Sequence, residues 1–72
     1  MELSLIKTST DDKVKLPYTV VVSFAGEGRE LRKDLVSRYS QGDFSCHVER
    51  YISTATIHFR NEIDAADFLM RI

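Results

Sequence analysis

The chain has 72 residues, of which 43% are apolar and 29% are charged, with ten basic and eleven acidic side chains. A chain of this length forms a single domain, residues 1–72, which buries only about 60% of the surface that its unfolded form exposes. The apolar content excludes a disordered polar chain, and the formal net charge of −1 offers no clustered positive field for a long nucleic-acid backbone.

The single cysteine, Cys46, cannot form an internal disulfide, and a small domain without disulfides is typical of a reducing compartment. The N-terminal residues contain no apolar run long enough for a signal peptide or a membrane span. We therefore expect a cytoplasmic protein with no membrane anchor.

Two strands are predicted in the first third of the chain. Leu3 and Leu5 alternate with polar neighbours over residues 2–7, which indicates a short strand, and the polar run 8–12 predicts a turn. Residues 17–24 are rich in valine and aromatic side chains, which favour a half-buried strand. Three of its side chains are expected to face inward: Val20, Val22 and Phe24.

A helix is predicted over residues 28–40, ending before Gly42. Apolar side chains recur there at helical spacing and form one stripe: Leu31, Leu35, Val36 and Tyr39. This stripe is expected to face the sheet.

A hairpin follows, because residues 43–50 and 54–60 both alternate between apolar and polar side chains. The apolar, inward-facing set is Phe44, Cys46, Val48, Ala55, Ile57 and Phe59. The turn at residues 51–53 lacks the glycine or Asn-Gly pair that fixes hairpin geometry, so the pattern leaves the register open.

The chain then predicts a second helix, with Asn61 as its N-cap and Ile72 as its last residue. The resulting order, ββαββα, is that of a ferredoxin-like βαββαβ chain whose last strand has been moved to the front, a circular permutation. The expected fold is α+β: a two-layer sandwich with a four-stranded antiparallel sheet and both helices on one face.

Residues 23–30, SFAGEGRE, place two glycines between a strand and a helix, the context in which phosphate-binding loops occur. Here Glu27 lies between the glycines and Glu30 follows them, so two carboxylates stand where an anion would bind. We therefore interpret the segment as a turn in which one glycine takes a positive φ. An anion site at Arg29 is the alternative.

His47 and His58 are predicted on the sheet face opposite the core. In one hairpin register they stand opposite each other, where with Glu49 they could hold zinc or copper; in the other they are diagonal neighbours. Cys46 points the other way, so a four-ligand site is not completed. We expect solvated or interface histidines, with no metal and no other cofactor.

Catalysis has little support in the sequence. No residue lies in a nucleophile signature such as Gly-x-Ser-x-Gly, and so short a sandwich offers no deep, water-excluding pocket. Cys46, between Phe44 and Val48, is expected to behave as a small inert hydrophobe. We predict a non-enzymatic protein without a small-molecule substrate.

The open sheet face suggests an alternative function, a single-stranded nucleic-acid-binding domain, because such domains stack bases on the side chains of a sheet. Its predicted residues are Thr19, Val21, Ser23, Ser45, His47, Glu49, Thr54, Thr56, His58 and Arg60. This face carries two histidines but no Phe, Tyr or Trp. The basic residues available to this alternative are Arg29, Arg32, Lys33 and Arg60.

The second helix has more apolar arc than one sheet face should bury. Its apolar residues are Ile63, Ala65, Ala66, Phe68, Leu69, Met70 and Ile72. Either a wide stripe compensates for a small core, or its flank contacts another copy or a target protein. We favour a protein-binding module that contacts its partner through two sets of residues, on the helix and on the open sheet face. These are Phe68, Met70 and Ile72, and His47, Thr56 and His58.

The C-terminal stretch HFRNEIDAADFLMRI, residues 58–72, resembles the ending of many small proteins encoded by tailed bacteriophages. Those endings run from a strand phenylalanine, through a polar turn and an Asp-Ala helix start, to a Phe-x-x-basic-apolar finish. The matching residues are Phe59, Asp64, Ala65, Phe68, Arg71 and Ile72. The segment ADFLM stands here in place of their leucine-rich centre. The resemblance implies a phage accessory protein in the bacterial cytoplasm, a group that includes inhibitors of host proteins, and it assigns no functional residue.

Overall fold

The computed structural model describes residues 2–72 and contains, within them, four β-strands and two α-helices. The elements are β1 (Glu2–Thr10), β2 (Tyr18–Ala25), α1 (Gly28–Arg38), β3 (Phe44–Glu49), β4 (Thr54–Phe59) and α2 (Glu62–Met70). One turn of 3-10 helix, Arg50–Ile52, connects β3 to β4. The predicted ββαββα order is confirmed.

The strands form one antiparallel sheet in the order β1-β2-β4-β3. β4 lies between β2 and β3, the two strands that α1 connects, and this is the split β-α-β arrangement of a ferredoxin-like sandwich. β1 occupies the edge that the last strand takes in the unpermuted fold. The predicted permuted architecture is therefore confirmed.

The core lies between the sheet and the two helices, on one face of the sheet. The strands contribute alternate residues that are fully or almost fully buried: Val20, Val22 and Phe24 from β2, and Ala55, Ile57 and Phe59 from β4. The helix layer contributes Leu31 and Leu35 from α1, Tyr39 just after α1, and Ala65 and Phe68 from α2. The predicted inward faces of β2 and β4 are confirmed, and Phe44, Cys46 and Val48 of β3 pack against this core at its edge.

The prediction that Val36 belongs to the buried stripe of α1 is wrong. Leu31 and Leu35, one turn apart, cover the sheet, while Val36 is 62% exposed. Tyr39 completes the buried set from just beyond the helix, where its ring makes edge contacts with the rings of Phe44 and Phe59. The helix therefore buries a narrower stripe than the sequence pattern indicates.

β1 is longer than predicted. The sequence predicts a turn in the polar run 8–12, yet the strand continues to Thr10, and the turn begins at Asp11. There the Asp11 carboxylate accepts a hydrogen bond from the backbone N–H of Lys13 at 3.0 Å. A register shift between Leu5 and Lys7, a β-bulge, allows β1 to follow β2 over its whole length.

The β3–β4 hairpin adopts the register in which Phe44 pairs with Phe59 and His47 pairs with Thr56. Ser53 ends the connecting turn with a left-handed φ of 51°. Glycine is the residue that usually marks this conformation, and none stands here. The backbone N–H of Phe24 donates to the Ser53 carbonyl at 3.0 Å, which ties the end of the hairpin to β2.

Both helices end earlier than predicted. α1 ends at Arg38 with Tyr39 as its C-cap, and α2 ends at Met70 with Arg71 as its C-cap. Asn61 is the N-cap of α2 as predicted, but its side chain does not bond a backbone N–H. Its amide donates instead to the Asp64 carboxylate at 3.2 Å.

Candidate protein-binding surfaces

The outer face of α2 presents two large apolar side chains to solvent. Ile63 is 81% exposed and Met70 is 86% exposed. They are seven residues apart, so they lie on the same side of the helix, two turns from one another. Ile72, just beyond the helix, is also exposed. We call Ile63 and Met70 the outer apolar face of α2.

The prediction that Phe68 lies on an exposed flank of this helix is wrong. Phe68 is 1% exposed, and its ring centroid lies 5.7 Å from that of Phe59 in the centre of the core. Ala65, three residues earlier, is buried beside it on the same face of the helix. The apolar arc of α2 is thus divided into a buried face and an outer face on different sides.

A polar contact links α2 to the end of α1. The Tyr39 hydroxyl donates a hydrogen bond to the Asp67 carboxylate at 2.8 Å, and Arg71 Nε donates to the same carboxylate at 3.0 Å. Burial, followed by the bond to the Asp67 carboxylate, raises the pKa of Tyr39 to about 12. The hydrogen bonds from Tyr39 and from Arg71 lower the pKa of Asp67. No pattern within either helix could reveal this contact.

The open sheet face carries the polar residues that the alternation predicts, and the histidines on it are not directly opposite each other. His58 Nδ1 is 2.9 Å from Thr19 Oγ1, its partner across the β2–β4 pair. His47 Nε2 is 2.7 Å from Glu49 Oε1 on its own strand. Thr56 pairs with His47 across the hairpin. The observed register thus places the two histidines as diagonal neighbours with separate partners.

The structure does not assemble a metal site from these side chains. Within residues 2–72, no three His, Cys, Asp or Glu side chains are grouped so that they could hold a metal ion. Cys46 faces the core side of β3, half-buried, and burial raises the pKa of its thiol. A raised pKa lowers the thiolate fraction, which makes this cysteine a poor nucleophile and a poor ligand at neutral pH.

The basic residues of the nucleic-acid alternative do not form one surface. Arg29, Arg32 and Lys33 lie on α1, on the side of the sheet opposite to the histidines. Arg29 forms an ion pair with Glu27 at 2.9 Å. Arg60, beyond the end of β4, pairs with Asp43 at 3.4 Å and donates to a backbone carbonyl of the α1–β3 loop.

The glycine segment is a turn from β2 into α1. Gly26 has a φ of 110°, which confirms the predicted positive φ at one of the two glycines. Gly28 lies against β3, because a Cβ at this position would be 2.8 Å from Val48 Cγ1. The loop borders an open cavity of about 330 Å³ that also touches Arg50 and Ser53. The Glu27 carboxylate, which pairs with Arg29, stands beside it.

Comparison with known proteins adds no relative: no protein family, curated protein or solved structure matches this chain. Neither helix described in residues 2–72 has the length and apolar character needed to cross a membrane.

Sequence reasoning missed Ile63 as a surface residue, although a signal was present. Ile63 and Met70 share one helical face by their spacing, and that face differs from the one that carries Ala65 and Phe68. The sequence pattern shows these two apolar faces but does not say which one meets the sheet. The burial of Ala65 and Phe68 against the core decides this, and the hydrogen bond between Tyr39 and Asp67 supports the same orientation.

Proposed function

We propose that the chain is a small non-enzymatic module that binds another protein through the outer apolar face of α2. The observation that carries this proposal is the exposure of Ile63 and Met70, 81% and 86%, on one side of a nine-residue helix. Exposed apolar side chains that share a face usually mark contact with another macromolecule when they form a patch. A methionine in such a patch adapts its shape to its partner.

The packing of α2 supports this use of its outer face. Ala65 and Phe68 anchor the helix in the core, and the Tyr39 hydroxyl bonded to Asp67 restricts its rotation. The backbone of a helix held in this way is already ordered before binding, so the ordering cost is limited to the exposed side chains. A helix face laid into an apolar groove of the partner is the mode of recognition that this geometry fits.

The polar sheet face is a weaker candidate for the contact. His47, Thr56 and His58 lie on the opposite side of the sheet from α2, so one partner surface cannot cover both faces. The sheet side presents hydroxyl and imidazole groups, which remain well solvated. We therefore assign the partner contact to α2.

The class of partner follows from the resemblance of residues 58–72 to the endings of phage accessory proteins. We propose that the chain acts in the bacterial cytoplasm on a host protein, as an inhibitor or modulator. The half-buried Cys46 and the pairwise contacts of the histidines support a role without catalysis.

Capture from a bacterial lysate tests this proposal. The immobilised wild-type chain is compared with the double variant Ile63→Glu/Met70→Glu and with Val36→Glu. Val36, on α1, is also an exposed apolar residue, so its variant controls for the loss of any apolar surface side chain. We expect wild type and Val36→Glu to retain the same host protein and the double variant to lose it.

Two results would contradict the proposal. Equal capture by all three proteins would exclude the outer apolar face of α2 as the contact. Capture of nothing by the wild-type chain, with the purified protein folded by circular dichroism, would exclude a stable complex with a bacterial cytoplasmic protein.

A further inference from the structure

β1 forms an edge of the sheet that pairs with β2 on one side only, within the part of the chain that the structure describes. It is nine residues long, against six for β3 at the other edge. Every residue of β1 except Leu3 is exposed. A long edge strand presents backbone N–H and C=O groups to which another strand can bond, and proteins usually shorten or shield such edges.

The β-bulge determines which side chains of β1 share a face. Glu2 and Ser4 pair with open-face residues of β2, while Leu3 and Leu5 pair with Phe24 and Val22 of the core face. After the register shift, Lys7 pairs with Val21, an open-face residue. Lys7 therefore lies on the same face as Glu2 and Ser4, although its position in the sequence alone would place it on the other face.

This arrangement is complementary to itself. Consider two β1 strands that run antiparallel with Ser4 opposite Ser4, so that Leu3 of one copy is opposite Leu5 of the other. If Ile6 is the extra, unpaired residue of the bulge in each strand, the next pair along is Glu2 of one copy with Lys7 of the other. The two-fold symmetry produces each of these contacts twice. Opposite charges and apolar side chains placed directly across an antiparallel pair are the contacts that stabilise it.

The helix layer leaves room for such a neighbour. Leu5 points to the helix side of the sheet but is 48% exposed. α2 makes its main contacts to the sheet with β2 and β4. Leu3 of a second copy, placed beside Leu5, would remove part of that apolar surface from water.

We propose that two copies of the chain associate through their β1 edges, antiparallel and centred on Ser4, to form one continuous sheet of eight strands. The contact is isologous, so it closes at a dimer and does not propagate. It uses a different surface from the outer apolar face of α2 and leaves that face available to a partner.

Charge reversal tests the pairing of Glu2 with Lys7. Sedimentation equilibrium over a concentration series measures the dimer dissociation constant for wild type, Glu2→Lys, Lys7→Glu and the double swap Glu2→Lys/Lys7→Glu. We expect each single variant to weaken the dimer by about tenfold or more, because like charges then face each other, and the swap to restore it. Lys33→Glu on α1, which makes the same charge change as Lys7→Glu, is the control and should leave the dimer unchanged.

Cross-linking tests the register. In a Cys46→Ser background, Ser4→Cys should form a disulfide between copies under mild oxidation, because directly opposed Cβ atoms lie within disulfide reach. Ser9→Cys, on the same face of β1 but far from the two-fold axis, is the control and should not cross-link.

Several outcomes would overturn the proposal. These are a monomer at every concentration, a dimer that is indifferent to the charge reversals, and cross-linking through Ser9→Cys instead of Ser4→Cys. Loss of dimerisation in Ile63→Glu/Met70→Glu but not in Glu2→Lys would assign self-association to α2 and would also overturn it. Because the lysate experiment reads out a host protein and this one reads out the mass of the chain itself, the two proposals fail separately.

Discussion

Tyr39 and Asp67, from the ends of the two helices, are joined by a hydrogen bond of 2.8 Å from the tyrosine hydroxyl to the carboxylate. Tyr39 also packs its ring on Phe44 and Phe59, so one side chain connects α1, α2 and two strands. Arg71 Nε donates a hydrogen bond to the same carboxylate at 3.0 Å. This cluster links α2 to α1 in the same orientation that buries Ala65 and Phe68 in the core.

Removing the Tyr39 hydroxyl should lower stability without leaving a cavity in the core. Tyr39→Phe keeps the ring contacts but loses the bond to Asp67, and we expect the free energy of unfolding to fall by about 1 kcal/mol. Urea denaturation followed by circular dichroism measures this. Tyr51→Phe, at a fully exposed tyrosine, is the matched control and should leave the urea midpoint unchanged. Equal midpoints for Tyr39→Phe and wild type would show that the hydrogen bond adds nothing to stability.

The same pair predicts how stability depends on pH. The pKa of Tyr39 is raised from 10.0 to about 12, so its contribution is complete below pH 10 and is lost as the pH rises towards 12. The pKa of Asp67 is lowered from 3.8, so its contribution is present above that value and is lost as the pH falls through the depressed pKa of the folded state.

Urea midpoints measured across pH test both parts of this prediction. Tyr39→Phe should flatten the alkaline fall between pH 10 and 12, and Asp67→Asn should flatten the acid fall. An alkaline fall of equal size in wild type and Tyr39→Phe would contradict the assignment to Tyr39.

Truncation to alanine should lower the free energy of unfolding strongly at Phe68 and very little at Met70. Phe68 is 1% exposed and Met70 is 86% exposed. Phe68→Ala should cost about 3–5 kcal/mol, which approaches the whole stability expected of so small a domain at about 0.05–0.15 kcal/mol per residue. Met70→Ala should change stability by less than about 0.5 kcal/mol. Thermal unfolding by circular dichroism distinguishes them, and a folded, stable Phe68→Ala protein would contradict the buried position of this ring.

The order of elements and the two faces of the central strands could be predicted from the sequence because they depend on local alternation. Val20 and Ile57 are buried for the reason the pattern indicates, since a strand with one covered face alternates apolar and polar side chains. Features set by contacts between distant segments could not be predicted in this way.

The hairpin register and the extent of β1 belong to this second group. Two registers of the β3–β4 hairpin keep Phe44 and Phe59 on the core face. In the observed register the left-handed position of the turn is occupied by Ser53, so no glycine marks it in the sequence. In β1, the polar residues after Lys7 resemble a turn, yet an exposed edge strand tolerates them because neither of its faces is deeply covered. The buried position of Phe68 likewise depends on its contact with Phe59 of a distant strand, which a helical wheel of α2 does not show.

The open sheet face should not bind single-stranded nucleic acid tightly. Within residues 2–72 it presents His47 and His58 but no Phe, Tyr or Trp ring on which bases could stack. Fluorescence anisotropy with labelled single-stranded DNA and RNA oligonucleotides should show no saturable binding at moderate salt. Saturable binding that weakens steeply with added salt, and that is lost in His47→Ala/His58→Ala, would establish the alternative function.

Gly28 should be required because α1 begins against β3. A Cβ at this position would lie 2.8 Å from Val48 Cγ1, so Gly28→Ala requires either the Val48 side chain or one of the two segments to shift. We expect a loss of about 1–3 kcal/mol in the free energy of unfolding, the usual cost of overpacking. Val48→Ala removes the colliding methyl groups, so the same glycine substitution should cost less in that background. The difference between the two costs, measured by urea denaturation as a double-mutant cycle, reports the contact itself. Equal costs in both backgrounds would show that Gly28 is needed for another reason, and the packing of α1 on β3 would then not depend on a glycine at this position.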